Sequence, residues 1–132
     1  MASDCLFCRI VRREIPADLV HEDDDVVAFR DINPQAPVHV LVIPKKHIAT
    51  LNDLTAADGA LVGTLVLAAK DLARREGIAD AGYRTLMNCN VHGGQSVFHV
   101  HLHLLGESRQ LGHPQTIAAA NPTADRRDPQ LA

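Results

Sequence analysis

A chain of 132 residues holds material for one domain, enough to bury roughly two-thirds of its unfolded surface. Its 13 Lys and Arg against 16 Asp and Glu give a net charge of −3 without a long basic run, which argues against a dedicated nucleic-acid binder and its clustered basic footprint. The longest apolar region, 60–69, contains Gly63 and Thr64 and falls short of the roughly 18 residues that a membrane span needs. Asp4 and Arg9 interrupt any signal-like stretch, so the expectation is a soluble cytoplasmic protein with neither membrane nor nucleic-acid partners.

In chain order, Ser3 or Asp4 can cap a short helix with Phe7, Ile10 and Val11 on one side, stopped by Pro16. Cys5-Leu6-Phe7-Cys8 within it is a C-x-x-C motif. Without a secretory signal no structural disulfide is expected, and a thioredoxin-like role would want the motif after a strand in a βαβ context. Strands are predicted over 19–21 and 26–30, with the acidic run Glu22 to Asp25 as a solvated turn between them. A third, over 38–43, ends at Pro44, where a backbone donor is lost. Asp31, ahead of Asn33-Pro34, suits a turn and equally a bidentate grip on two ribose hydroxyls. Thr55 to Asp58 resembles a capping signature, after which Leu61, Leu65, Ala68 and Leu72 recur at helical spacing until Gly77. Two more strands are predicted over 83–88 and 97–105. This order lacks regular βαβ alternation, so the expected class is α+β: a mostly antiparallel five-stranded sheet with one short and one longer helix. Beyond Glu107 the periodicity dissolves, which divides the chain into a domain over 1–110 and a mobile tail over 111–132.

The last strand carries the chemistry. Phe98, Val100, Leu102 and Leu104 should share a core face, while His99, His101 and His103 line the other at intervals of about 6.6 Å. A polar strand face that happens to be histidine-rich is one reading. A metal site is another, since two imidazoles at i, i+2 can converge on one ion, although the outer pair is about 13 Å apart at Cα. The third is a nucleophilic histidine flanked by two others that position and neutralise an anion. Gly93-Gly94-Gln95-Ser96 just upstream favours this third reading, because glycines let backbone amides approach a phosphate and Ser96 adds a hydroxyl. A neutral imidazole is well populated near pH 7, and His101 is the expected nucleophile because, in the middle of the row, its neighbours can hold the anion from both sides.

His99-Val100-His101-Leu102-His103-Leu104-Leu105 resembles the signature of the histidine-triad superfamily, and Gly93-Gly94-Gln95-Ser96-Val97 resembles its nucleotide-binding, phosphoramidase branch. Ile15-Pro16-Ala17, the stretch 28–32, Pro34-Gln35-Ala36-Pro37, the stretch 39–47, and Gly82-Tyr83-Arg84 leading to Met87-Asn88 match as well, so the likeness spans roughly 5–106. The resemblance implies a two-fold homodimer that cleaves the P–N bond of purine nucleoside 5′-phosphoramidates through a nucleotidyl-His101 intermediate. His99 and His103 would orient the site and balance charge, and Ser96 would bond the leaving group or bridging atom. Asn88 would hold a phosphate oxygen, and Gly94 with Gln95 would supply backbone donors. Asp31 would hold the ribose, and Phe7, Ile10, Phe29 and Ile32 would form the slot for the base. His39 resembles a histidine standing behind the triad, and a buried, satisfied core histidine reads equally well.

Two thiolates and two imidazoles make a common closed zinc site. By the same resemblance a structural zinc would be held by Cys5, Cys8, His47 and His99, outside catalysis, leaving Cys89 as a small hydrophobe. Two other functions stay open: hydrolysis of dinucleoside polyphosphates, and a non-catalytic nucleotide sensor or scaffold. This chain also differs from the resembled branch at its end, where it has no Trp and a longer tail.

Overall fold

A computed structural model of the chain describes residues 4–107; the tail expected over 111–132 lies outside the described residues. The elements are α1 (Leu6–Val11), β1 (Leu19–Glu22), β2 (Val26–Arg30), β3 (Val38–Pro44), α2 (Gly59–Arg75), β4 (Arg84–Leu86) and β5 (Leu102–Gly106). Single 3-10 turns lie at Leu51–Asp53, Ala56–Asp58 and Val91–Gly93. The strands form one sheet in the order β1-β2-β3-β5-β4, with every neighbouring pair antiparallel. The expected α+β class is the one observed.

Apart from His39 and the terminal Arg30, the β2 and β3 strands are apolar along their length because both their faces are covered. The acidic run forms the turn between β1 and β2, where Asp23 Oδ1 accepts from the amides of Asp25 at 2.8 Å and Val26 at 2.9 Å. On one face of the sheet, Val26, Ala28, Val38, Val40, Val42, Leu102 and Leu104 pack against Leu65, Ala69, Leu72 and Ala73 of α2. On the other, Val27, Phe29, Leu41 and Ile43 pack against Phe7 and Ile10 of α1. Each fully buried large side chain contributes about 1.5–3 kcal/mol, and this two-sided core holds β3 and β5, the strands that position the site.

Several local expectations shift. The cap of α1 is neither Ser3 nor Asp4 but Cys5, whose Sγ accepts from the Cys8 amide at 3.4 Å. The helix stops at Val11, well before Pro16, and Arg13 turns the chain at φ 63°. Thr55 and Asp58 form the expected capping box, with the Thr55 amide donating to Asp58 Oδ2 at 2.9 Å. The buried stripe of α2 is Leu65, Ala69, Leu72 and Ala73, while Leu61 and Ala68 are only half-buried. The strand expected over 83–88 is only Arg84–Leu86. The strand expected over 97–105 begins at Leu102, because the Val100 amide leaves the ladder and donates to the Ile48 carbonyl at 2.7 Å. Strand alternation therefore fails at its start: Phe98 is partly exposed, whereas Val100, Leu102 and Leu104 are buried.

Candidate active site

None of the three histidines faces open solvent. His99, His101 and His103 are all buried, so the row is not the polar outer face of a sheet. Each imidazole is locked into one tautomer by a neighbour that can play only one part. Nε2–H of His99 donates to the Pro44 carbonyl at 2.7 Å, which leaves a lone pair on Nδ1. Nδ1–H of His101 donates to the His99 carbonyl at 2.7 Å, which leaves the lone pair on Nε2. The Gln35 amide donates to His39 Nδ1 at 3.0 Å, so His39 Nε2–H donates to His103 Nδ1 at 2.9 Å. His103 then carries its proton on Nε2. His101, with its lone pair on Nε2, and His103, with its proton on Nε2, thus lie side by side, with ring centroids 5.0 Å apart.

Behind His103, burial holds the His39 imidazole below its ordinary pKa, against the opposing pull of Asp31, whose Oδ2 is 3.4 Å from His39 Nε2. The same carboxylate accepts from the Asn33 amide at 2.8 Å through Oδ1. Asp31 thus makes the turn, and it also lines a cavity.

That cavity has a volume of about 370 Å³. Its wall brings together His101, His103, Ser96 and Asp31 with the apolar Phe7, Ile10, Phe29 and Ile32. Ile32 is 98% exposed, so the apolar slot is open on that side. Phe7 stands edge-on to His101, Phe29 and His99, at centroid distances of 5.1, 5.3 and 6.0 Å. Leu6, Ile15, Pro16, Ala17, Leu41 and Val97 also line the wall. As isolated aliphatic residues they carry no local signal; Leu6 lies between the two cysteines, and only the family likeness of the stretches 15–17, 39–47 and 93–97 could have drawn attention to the others.

Asn88, Gly94, Gln95, His39 and His99 are not among the lining residues. The Gln95 side chain is buried and clasps the loop, accepting from the Asn90 amide at 2.8 Å and donating to the carbonyls of Ala49 at 2.8 Å and Val97 at 3.0 Å. Gly94 sits at φ 90°, in the left-handed region where a side chain is strained, and Asn90 at φ 62°, ψ 178°. This loop seats Ser96 at the cavity.

Cys5, Cys8, His47 and His99 form a second cluster, their ligand atoms all within 4.8 Å of one another. With Zn–N near 2.0–2.1 Å and Zn–S near 2.3 Å, the edges of a tetrahedron are about 3.3 Å between nitrogens and about 3.6 Å between nitrogen and sulfur. Here Nδ1 of His47 and of His99 are 3.3 Å apart. The sulfur–nitrogen separations are 3.4 Å for Cys5–His99, 3.3 Å for Cys8–His47 and 3.5 Å for Cys8–His99. The lone pair that Pro44 enforces on His99 Nδ1 points to this cluster, and none of the three cysteines is in a disulfide. Without an ion, burial pushes the His99 imidazole down to about 4 and the Cys8 thiol up to about 11, the latter helped by its bond to Cys5. The donor set and spacing fit a tetrahedral divalent ion.

Sequence comparison places this five-stranded sheet, with its buried histidine row beside an apolar cavity that Asp31 also lines, in a family. Residues 4–116 match the family described as "Scavenger mRNA decapping enzyme C-term binding". The chain belongs to this family and to the histidine-triad (HIT) proteins. It is 53% identical over 112 residues to the purine nucleoside phosphoramidase of Escherichia coli K12, covering 85% of this chain and 93% of that one. An uncharacterized HIT-like protein of Synechococcus elongatus is 54% identical over 114 residues, covering 86% and 98%. The crystal structure of a HIT family hydrolase from Legionella pneumophila superposes with a TM-score of 0.77 at 55% identity, covering 78% of this chain and 92% of that one.

Proposed function

We propose that this HIT-family hydrolase cleaves the P–N bond of purine nucleoside 5′-phosphoramidates, with His101 as nucleophile. The observation that carries the reading is the 2.7 Å bond from His101 Nδ1–H to the His99 carbonyl, on a histidine that lines the cavity. It leaves Nε2 with an in-plane lone pair and no need to shed a proton before attack. Nε2 attacks phosphorus, the P–N bond breaks, and the nitrogen leaves as the amine with a proton from solvent, which the hydrolysis step returns. Water then cleaves the nucleotidyl-histidine to the nucleoside monophosphate and restores the imidazole. His103, whose Nε2 bears the proton, stabilises charge on the phosphoryl oxygens, with His39 and Asp31 behind it. Ser96 bonds the bridging atom, Asn88 a phosphate oxygen, and the amides around Gly94 the remaining oxygens. Asp31 takes the ribose hydroxyls, and Phe7, Ile10, Phe29 and Ile32 hold the base. The purine preference follows the name of the E. coli relative.

Cys5, Cys8, His47 and His99 would hold a structural zinc, tying α1 to the triad and closing the coordination sphere with protein ligands. Free thiols suit a reducing, cytoplasmic setting. A two-fold homodimer is supported by the three-residue edge strand β4 and by Val66 and Leu67, which α2 leaves exposed in the single chain. Sedimentation at the monomer mass across micromolar concentrations would reject the dimer.

The test of the reaction is hydrolysis of adenosine 5′-phosphoramidate bearing a fluorescent amine. The His101→Ala variant should lose at least about 10³-fold in turnover while still binding AMP. Retention of more than about a tenth of wild-type turnover would reject the nucleophile, since losing a covalent catalyst costs orders of magnitude. A folded, AMP-binding wild type that leaves the phosphoramidate intact but cleaves diadenosine polyphosphate would move the reaction to that substrate class.

A further inference from the structure

We propose that Cys5 and Cys8 form a peroxide-sensitive thiol–disulfide site whose oxidation releases the α1 wall of the nucleotide cavity. The inference rests on the metal and nucleotide readings above and adds a modification site to them. The two sulfurs lie within 4.8 Å of each other one helical turn apart, Cys5 partly exposed and Cys8 buried, so an oxidant meets Cys5 first and Cys8 is placed to resolve it. Cys5 sulfur attacks the peroxide O–O bond, taking one oxygen as a sulfenic acid while the other leaves as water. Cys8 sulfur then displaces that oxygen as a second water, forming the S–S bond. The thiols lose two hydrogens to the peroxide. Where the thiolates hold a metal, solvent supplies the two protons and the ion departs.

A disulfide needs its sulfurs about 2.05 Å apart, so at least one must leave a position now set 3.3–3.5 Å from His47 or His99. The segment that moves carries function: Phe7 lies between the two cysteines, its ring 5.1 Å from His101, and Phe7 and Ile10 both line the cavity. A change at the sulfurs is thereby converted into a change at the wall that holds the base.

The experiment titrates the purified full chain, and its Cys89→Ser variant, with hydrogen peroxide. It follows the N-terminal peptide by mass spectrometry, released metal by a chromogenic chelator, and AMP affinity by calorimetry. The expected result is a peptide bearing both cysteines that is lighter by two hydrogens, one metal released per disulfide, and an AMP dissociation constant about tenfold higher. Dithiothreitol with zinc should reverse all three. A disulfide that leaves AMP affinity unchanged overturns the coupling, and a cysteine pair that stays reduced while Cys89 oxidises overturns the site. Protein that carries no metal yet still forms the disulfide and loses affinity overturns the zinc reading alone. A reduced protein that does not bind AMP overturns the nucleotide reading and the coupling with it.

Discussion

The two faces of the sheet are built from the same strands and differ in almost everything else. Toward α2, alternate residues of β2, β3 and β5 meet Leu65, Ala69, Leu72 and Ala73 in an aliphatic core, with the Arg30–Glu76 pair at its edge. Toward α1, the intervening residues are joined by His39, His99, His101 and His103, by two phenylalanines and by a cavity of about 370 Å³. One face supplies stability, because close-packed aliphatic groups leave nothing to react. The other gives up packing density for imidazoles that can be buried only because each has a hydrogen-bond partner. Rigidity on the first face holds the second in register.

The contrast can be broken in both directions. The largest separation should come from His101→Ala, whose loss of at least about 10³ in turnover corresponds to about 4 kcal/mol of barrier, with a melting temperature close to wild type. On the opposite face, Leu104→Ala should cost about 2–5 kcal/mol of stability by leaving a cavity under α2, while the folded fraction keeps its kcat. Denaturant melts paired with active-site titration separate the two; a lost kcat in the folded fraction of Leu104→Ala would show that the faces are not independent. Gly106→Ala tests packing density more finely. A Cβ there meets Ile78 Cδ1 at 2.5 Å and its Cβ and Cγ2 at 3.3 Å, and Ile78 is fully buried, so about 1–3 kcal/mol should be lost. An unchanged melt would mean that Ile78 can rotate away.

The smallest effect is in pH. The His39 imidazole titrates below its ordinary value in the fold because it is buried, so between the two values the unfolded chain binds more protons. Its contribution to stability is present above about pH 6.5 and is lost as pH falls toward the folded value. His39→Asn should flatten that acid slope; an equally steep slope in the variant would assign it to other groups.

Much of this was legible in the residues because it is local. β2 appears where Val26 to Arg30 predicted it, the Asp23 turn and the Thr55–Asp58 box are short-range hydrogen-bond patterns, and the helical spacing after residue 60 marks α2 to within one step of its buried stripe. The cap of α1 and the start of β5 were misread for one reason. Both segments meet partners that local spacing does not report: Cys5 Sγ lies 3.4 Å from Nδ1 of His99, 94 residues away. Strict alternation from Phe98 would need Val100 in the ladder, but its amide goes to Ile48.

The sequence by itself determined which chemistry is available: a histidine row, a glycine-rich approach with Ser96, a carboxylate ahead of a turn, and a cysteine pair whose spacing suits one metal. Residue type and short-range spacing carry that information. Only the tertiary structure decided which nitrogen of each histidine holds a proton. Those assignments come from Pro44, Gln35 and the His99 carbonyl, and two of these partners lie more than 50 residues from the rings they set, directly or through His39. A lone pair or a proton on an imidazole is settled by what faces its other nitrogen, and that is a property of the fold.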